Sequence, residues 1–89
     1  MMRVELDGRK MDTRQDAHRY LKERLRLPEH YGNNLDALHD CLTEMGEKTR
    51  VTLVRKQAML NALGAYGQSV LAVFRDAAAE NPSFIFIEK

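Results

Sequence analysis

Four carboxylates recur at near-helical spacing in one stretch of this sequence: Asp36, Asp40, Glu44 and Glu47. At about 100° per residue the first three fall on one side of a helix, and Glu47 returns to that side if the helix reaches it. Like charges four residues apart cost a helix roughly 0.2–0.5 kcal/mol per pair, and no lysine is interleaved to relieve them. The helix dipole compensates Asp36 near the start but opposes Glu44 near the end. Such a ridge is poorly suited to stabilising its own helix. It suits a surface completed by another molecule's cations.

The surrounding charge sharpens this reading. Residues 28–47 contain five acids, Glu29 included, and no Lys or Arg, so the window alone carries −5. Residues 1–27 hold eight Lys/Arg against five acids, and residues 48–89 hold six against three. An acidic insert in a mildly basic frame speaks of partners rather than of fold, and points to a basic partner for the window.

Other chemistries fit these residues less well. His18, His30 and His39, with acids nearby, could form an acid–base pair of the kind nucleases use. A nuclease also needs cations to hold phosphate, and the window has none, so no catalytic residue is assigned. Asp36, His39 and Asp40 share a helical face, but consecutive His39, Asp40 and Cys41 fan out by about 100° each and cannot converge on one metal ion. Cys41 lies toward the apolar stripe and reads as a small buried hydrophobe. Arg14, Arg19, Lys22, Arg24 and Arg26 make the first helix basic, yet no aromatic platform interleaves them, so no nucleic-acid partner is expected. Neither a metal nor a cofactor is expected.

The elements that must position the ridge follow from periodicity and capping. Arg3-Val4-Glu5-Leu6 alternates as a strand and is closed by the turn dipeptide Asp7-Gly8. Asp12 or Thr13 can cap a first helix running to about Leu25, with Ala17, Tyr20, Leu21 and Leu25 on its buried side. Residues 27–34 form a loop, since Pro28 cannot continue the helix and Gly32 allows backbone angles other residues avoid. Asn33 or Asn34 then caps the acidic helix, which buries Leu35, Leu38, Cys41 or Leu42, and Met45 and ends near Gly46. A strand over 51–54, a short helix over 57–63, a turn over 64–67, a helix over 69–79 and a strand over 84–87 complete the chain. Strands separated by helical crossovers are normally parallel. The sequence therefore predicts an α/β fold: one domain over 1–89, a three-stranded parallel sheet packed by about four helices.

Composition agrees with a packed, water-soluble chain. Apolar residues make up 44% and charged residues 30% of 89 residues, well away from the signature of disorder. No run of about 18 apolar residues and no apolar leader segment is present, so neither a membrane partner nor export is expected. A single cysteine allows no internal disulfide, which suits a reducing compartment such as the cytoplasm.

At this point the residues become recognisable. Leu27-Pro28-Glu29-His30-Tyr31-Gly32-Asn33-Asn34-Leu35-Asp36-Ala37-Leu38-His39-Asp40-Cys41-Leu42-Thr43 closely resembles the signature segment of the barstar family, intracellular inhibitors of secreted ribonucleases. The resemblance continues through residues 69–77 and in element order across nearly the whole chain. It implies that the loop and second helix enter a nuclease cleft, with one carboxylate in the site that would hold the substrate phosphate. By position that carboxylate is Asp40, and Asp36 is the acidic contact one turn earlier. Thr43 stands where the helix end meets the partner, Gly32, Asn33, Asn34 and Leu35 match the contacting loop, and Asp76 stands where the family usually has glutamate. His30 replaces an aromatic residue and His39 a tryptophan, while Glu44 and Met45 stand where a well-known member has glycine and tryptophan. Interface hot spots are enriched in Trp and Tyr, so the implied partner is a basic ribonuclease other than the family's namesake target, such as a toxin domain. The free chain is expected to be a monomer. A barstar-like domain for another basic protein, and a small acid–base nuclease, are the alternatives.

Overall fold

Thr13 and Asn34 decide where two helices begin. In the computed structural model, which describes residues 1–89, both have extended backbone, and each side-chain oxygen accepts an N–H from the following turn. Asp16 N–H donates to Thr13 Oγ1 at 3.0 Å, and Ala37 N–H donates to Asn34 Oδ1 at 2.7 Å. The helices they open are α1 (Arg14–Arg24) and α2 (Leu35–Thr43). Residues Asp12 and Asn33, the other candidate caps, lie just outside. α2 stops at Thr43 rather than near Gly46, so Glu47 is not on it and residues 44–48 are irregular.

Strands β1 (Met2–Asp7), β2 (Thr49–Val54) and β3 (Phe84–Glu88) form a parallel sheet in the order β1-β2-β3. Between β2 and β3 lie α3 (Lys56–Leu63) and α4 (Ala65–Glu80), and a short 3₁₀ turn (Gly8–Lys10) follows β1. This is the α/β architecture the sequence predicts. Both crossovers step the same way across the sheet, so two right-handed connections place all four helices on one face. Burial agrees, because Val4, Leu6, Val51, Leu53 and Phe84 are buried while Arg3, Glu5 and Arg50 on the other face are exposed.

The core lies between this covered face and the helices. Ala17, Leu21, Leu38, Leu42, Met59, Val70, Leu71, Phe74 and Ala77 are all at most 1% exposed and fill it from α1 to α4. Phe74 stacks on Phe86 at 4.9 Å and on Phe84 at 6.1 Å, tying α4 to β3. Tyr20 is only half-buried, and its hydroxyl accepts the Asp7 N–H at 2.9 Å at the end of β1.

The glycines correct the sequence reading in two places. Gly64, at φ 59°, is the whole joint between α3 and α4, and the expected 64–67 turn is absent. Gly67 is instead buried inside α4, where a Cβ would lie 3.2 Å from Leu60 Cδ2, so its small size serves helix packing. In the 27–34 loop the left-handed residue is Asn33, at φ 55°, and not Gly32.

Candidate functional site

The 27–34 loop is irregular yet firmly anchored. Leu27 and Tyr31 are buried, and Tyr31 N–H donates to the Pro28 carbonyl at 3.0 Å. The Tyr31 hydroxyl meets His18 Nδ1 at 2.6 Å, and the Tyr66 hydroxyl meets His18 Nε2 at 2.6 Å. His18 is 2% exposed, and burial lowers its pKa, favouring the neutral ring. A neutral imidazole has one donor and one acceptor nitrogen. One ring nitrogen therefore accepts from one tyrosine hydroxyl while the other donates to the second tyrosine's oxygen. Burial also raises the Tyr31 pKa and keeps that hydroxyl protonated. One imidazole thus ties α1, the loop and the first turn of α4 together. His18 is therefore a scaffold residue, unavailable for acid–base chemistry.

At the start of α2, Asn34 spends its side chain on the fold, donating from Nδ2 to the Gly32 carbonyl at 3.2 Å as well as capping. At the other end, Thr43 Oγ1 donates back to the carbonyls of His39 at 2.9 Å and Asp40 at 3.2 Å. The buried Asn81, just after α4, donates from Nδ2 to the carbonyls of Leu42 and Met45, both at 3.0 Å. The first is a helix-end acceptor and the second lies in the irregular segment just past it, and Asn81 serves both. The acidic helix is therefore fixed at both ends.

On this fixed helix Asp36, Asp40 and Glu44 are exposed, and none pairs with a Lys or Arg. Glu47 is equally bare, whereas Glu29 is reached by Lys22 Nζ at 3.8 Å. Cys41 is half-buried, and burial first, then Glu44 and Asp40, raises its thiol pKa. His30, Gly32 and Asn33 are exposed in the loop, and Leu35 is partly buried against the core.

His39 lies where the sequence places it but is engaged differently. Its Nε2 sits 2.7 Å from Glu80 Oε2, and its Nδ1 is 4.0 Å from Asp40 Oδ1. Asp76, exposed on α4, lies one turn before Glu80 and so shares its side of that helix. The structure thus brings α4's carboxylates alongside those of α2, with His39 as the bridge. Glu80 was missed because nothing local in residues 76–81 announces a contact to residue 39. Two of the cations bordering this surface are Arg14, whose guanidinium carbon lies 4.3 Å over the Tyr66 ring in a groove of about 710 Å³ shared with Asn33 and Asp36, and Arg26, which lines a groove of about 360 Å³ with Glu44 and Glu47.

No group of three His, Cys, Asp or Glu residues is arranged to hold a metal ion. No helix is long and apolar enough to cross a membrane. What the surface can do chemically is accept charge-assisted hydrogen bonds from cations, on a helix that need not reorganise to do so.

The family model described as "Barstar (barnase inhibitor)" matches residues 1–87. A protein of Bacillus subtilis (strain 168), named "Putative ribonuclease inhibitor YrdF", is 36% identical over 81 residues, covering 90% of this chain and 89% of its own length.

Proposed function

The chain belongs to the barstar family, and from that premise we propose that it inhibits a cognate ribonuclease by placing the acidic face of α2 and the adjoining loop in the enzyme's active site. The observation that carries this reading is the bare ridge Asp36, Asp40 and Glu44 on a helix fixed at both ends. A ribonuclease must grip a phosphodiester with Arg, Lys and His side chains. A carboxylate held rigidly can replace that phosphate, accepting two parallel hydrogen bonds from a guanidinium. Asp40, at the centre of the ridge, takes that role, and Asp36 pairs with a second cation one turn away. Gly32, Asn33 and Leu35 pack beside the cleft, and Asp76 and Glu80 extend the acidic surface across α4. The protein works by binding, in the cytoplasm, against a partner that is basic at its active site.

The test begins with the partner. The chain is co-purified from its host, the bound protein is identified, and that protein's RNA cleavage is assayed with and without the chain. The expected result is a basic nuclease silenced at one-to-one stoichiometry. A bound protein with no nuclease activity would replace this reading with that of a binding domain for another basic protein. Cleavage of RNA by the purified chain alone, lost on His30→Gln or His39→Gln, would show it to be an enzyme instead.

A further inference from the structure

All-parallel sheets almost always have both faces covered, yet this one has helices on one face only. Its open face presents rows read from the strand register. Arg3, Arg50 and Ile85 lie abreast, as do Glu5, Thr52 and Ile87. Like charges directly opposite one another on adjacent strands are destabilising, and neither Arg3 nor Arg50 is paired with an acid. Arg3, Arg50 and Lys89 line one shallow concavity of about 320 Å³. Arg3, Arg24 and Arg26 line a second of about 260 Å³ at the edge of β1, where Arg24 Nη2 also donates to the Glu5 carbonyl at 3.0 Å. Arg3 belongs to both, so five exposed, unpaired cations form one surface, with Glu5 and Glu23 the only acids lining it.

We propose that this open sheet face, with the adjoining edge of β1, binds the sugar–phosphate backbone of single-stranded RNA. Four of the five cations are arginines, whose planar forks match phosphate oxygens two at a time. The Thr52 hydroxyl lies among them as a further donor and acceptor for phosphate or ribose. Ile85 and Ile87 are half-buried and supply no protruding apolar wedge of the kind that enters a bilayer. With no aromatic platform, the binding is driven by backbone charge, tolerant of sequence and steeply dependent on salt. The first-helix arginines considered from sequence contribute only in part: Arg24 and Arg26 join the surface, whereas Arg19 pairs with Asp16 at 3.2 Å. Because α2 belongs to the helical layer, the open sheet face points away from Asp36 and Asp40, while Arg26 at its margin also lines a groove with Glu44 and Glu47. RNA on the strand rows leaves Asp36 and Asp40 free, and the proposal does not rest on ribonuclease binding.

The test titrates the whole chain into fluorescently labelled oligouridine and follows anisotropy over a range of ionic strengths. Saturable binding at low ionic strength is expected, with Arg3→Gln and Arg50→Gln together weakening it at least about tenfold and flattening the log–log salt slope by about 1.4, two phosphate contacts at about 0.7 each. Lys10→Gln with Arg19→Gln removes the same charge elsewhere and should change neither. An equal loss in that control would show an effect of net charge alone and overturn the site. Absence of binding at low ionic strength would overturn it outright. Equally tight binding of phosphatidylserine vesicles or polyglutamate would assign the face to lipid or to an acidic chain instead. Arg3 and Arg50 are exposed, so unfolding temperatures should confirm that the variants are folded.

Discussion

Two kinds of carboxylate coexist in this chain, and they are handled in opposite ways. Glu88 on β3 is gripped by Arg75 at 2.7 Å and Lys56 at 2.9 Å, and these bonds hold its pKa down to about 2. Asp7 at the end of β1 is bound by the Arg9 side chain and backbone N–H, with Arg55 at 3.4 Å, and is likewise held to about 2. Asp36, Asp40 and Glu44 on α2 have no such partner. Fourteen basic side chains against thirteen acids would allow nearly every carboxylate a cation. The bareness of α2 is therefore a matter of placement and not of shortage. Carboxylates that knit strand ends to helices are satisfied internally by cations, and those on α2 are not.

The comparison is tested most severely by binding. Against the cognate ribonuclease, Asp40→Ala should cost about 2–5 kcal/mol of affinity, the loss expected when half of a buried interfacial charge pair is removed, a scale set in part by this family's own complexes. Asp36→Ala and Glu44→Ala should each cost less in the same titration calorimetry. None should lower the unfolding temperature. Equal, small losses from all three would mean that α2 does not occupy a phosphate site.

A second variant separates the ridge from its support. Asn81→Ala leaves the Leu42 and Met45 carbonyls without their donor and should cost about 1–3 kcal/mol of stability in urea denaturation. Ribonuclease inhibition should weaken with it although every acid is retained. Unchanged stability would show that water replaces Asn81 without penalty.

Acid titration should divide the two carboxylate classes. The pairings of Asp7 and Glu88 stabilise the fold fully above their ordinary values of 3.8 and 4.5, and that stability is lost as pH falls toward about 2. His18 adds an earlier phase of the same sign. Its lowered folded pKa means that the unfolded chain takes up the proton first, so stability declines as pH drops below 6.5. The groups packed on His18 are the hydroxyls of Tyr31 and Tyr66, with the Arg14 cation over Tyr66. Thermal unfolding from neutral pH downward should show both phases, His18→Gln should abolish the first, and Glu88→Gln should shrink the second. If Asp40→Asn shrinks it as much as Glu88→Gln does, the two classes of acid are not distinct.

The smallest effect has the opposite direction. Glu44→Gln removes one like-charge pair and an unfavourable dipole contact, and should raise stability by about 0.2–0.5 kcal/mol in the free protein. A loss of stability would show that Glu44 is already satisfied within the fold.

Much of this could be read from the sequence, for a physical reason. The acidic ridge, the two caps and the apolar stripes of α1, α2 and α4 are local patterns, written within a few turns of chain. What escaped was non-local or ambiguous. His18 meets Tyr66 across 48 residues, Asn81 meets Leu42 across 39, and His39 meets Glu80 across 41, and no spacing rule signals such pairs. Gly67 was read as part of a turn because glycine serves both conformational freedom and close packing, and only the neighbouring Leu60 decides between them. The end of α2 was placed too late because Gly46 looked like the stop, whereas the Thr43 hydroxyl and Asn81 complete the helix earlier.

The Asn81 clamp also sets an order of events during synthesis. Residues 2–54 carry both β1 and β2, which pair in register, and the whole of α2. A nascent chain of that length already displays its acids, but the last turn of α2 still lacks its donor. That donor arrives only once α4 has followed and Asn81 has left the ribosome. The α2 part of the proposed partner surface is thus among the earlier parts to be translated and among the later to be finished, whereas Asp76 and Glu80 arrive only with α4, so truncation after β2 would remove those two acids together with the clamp.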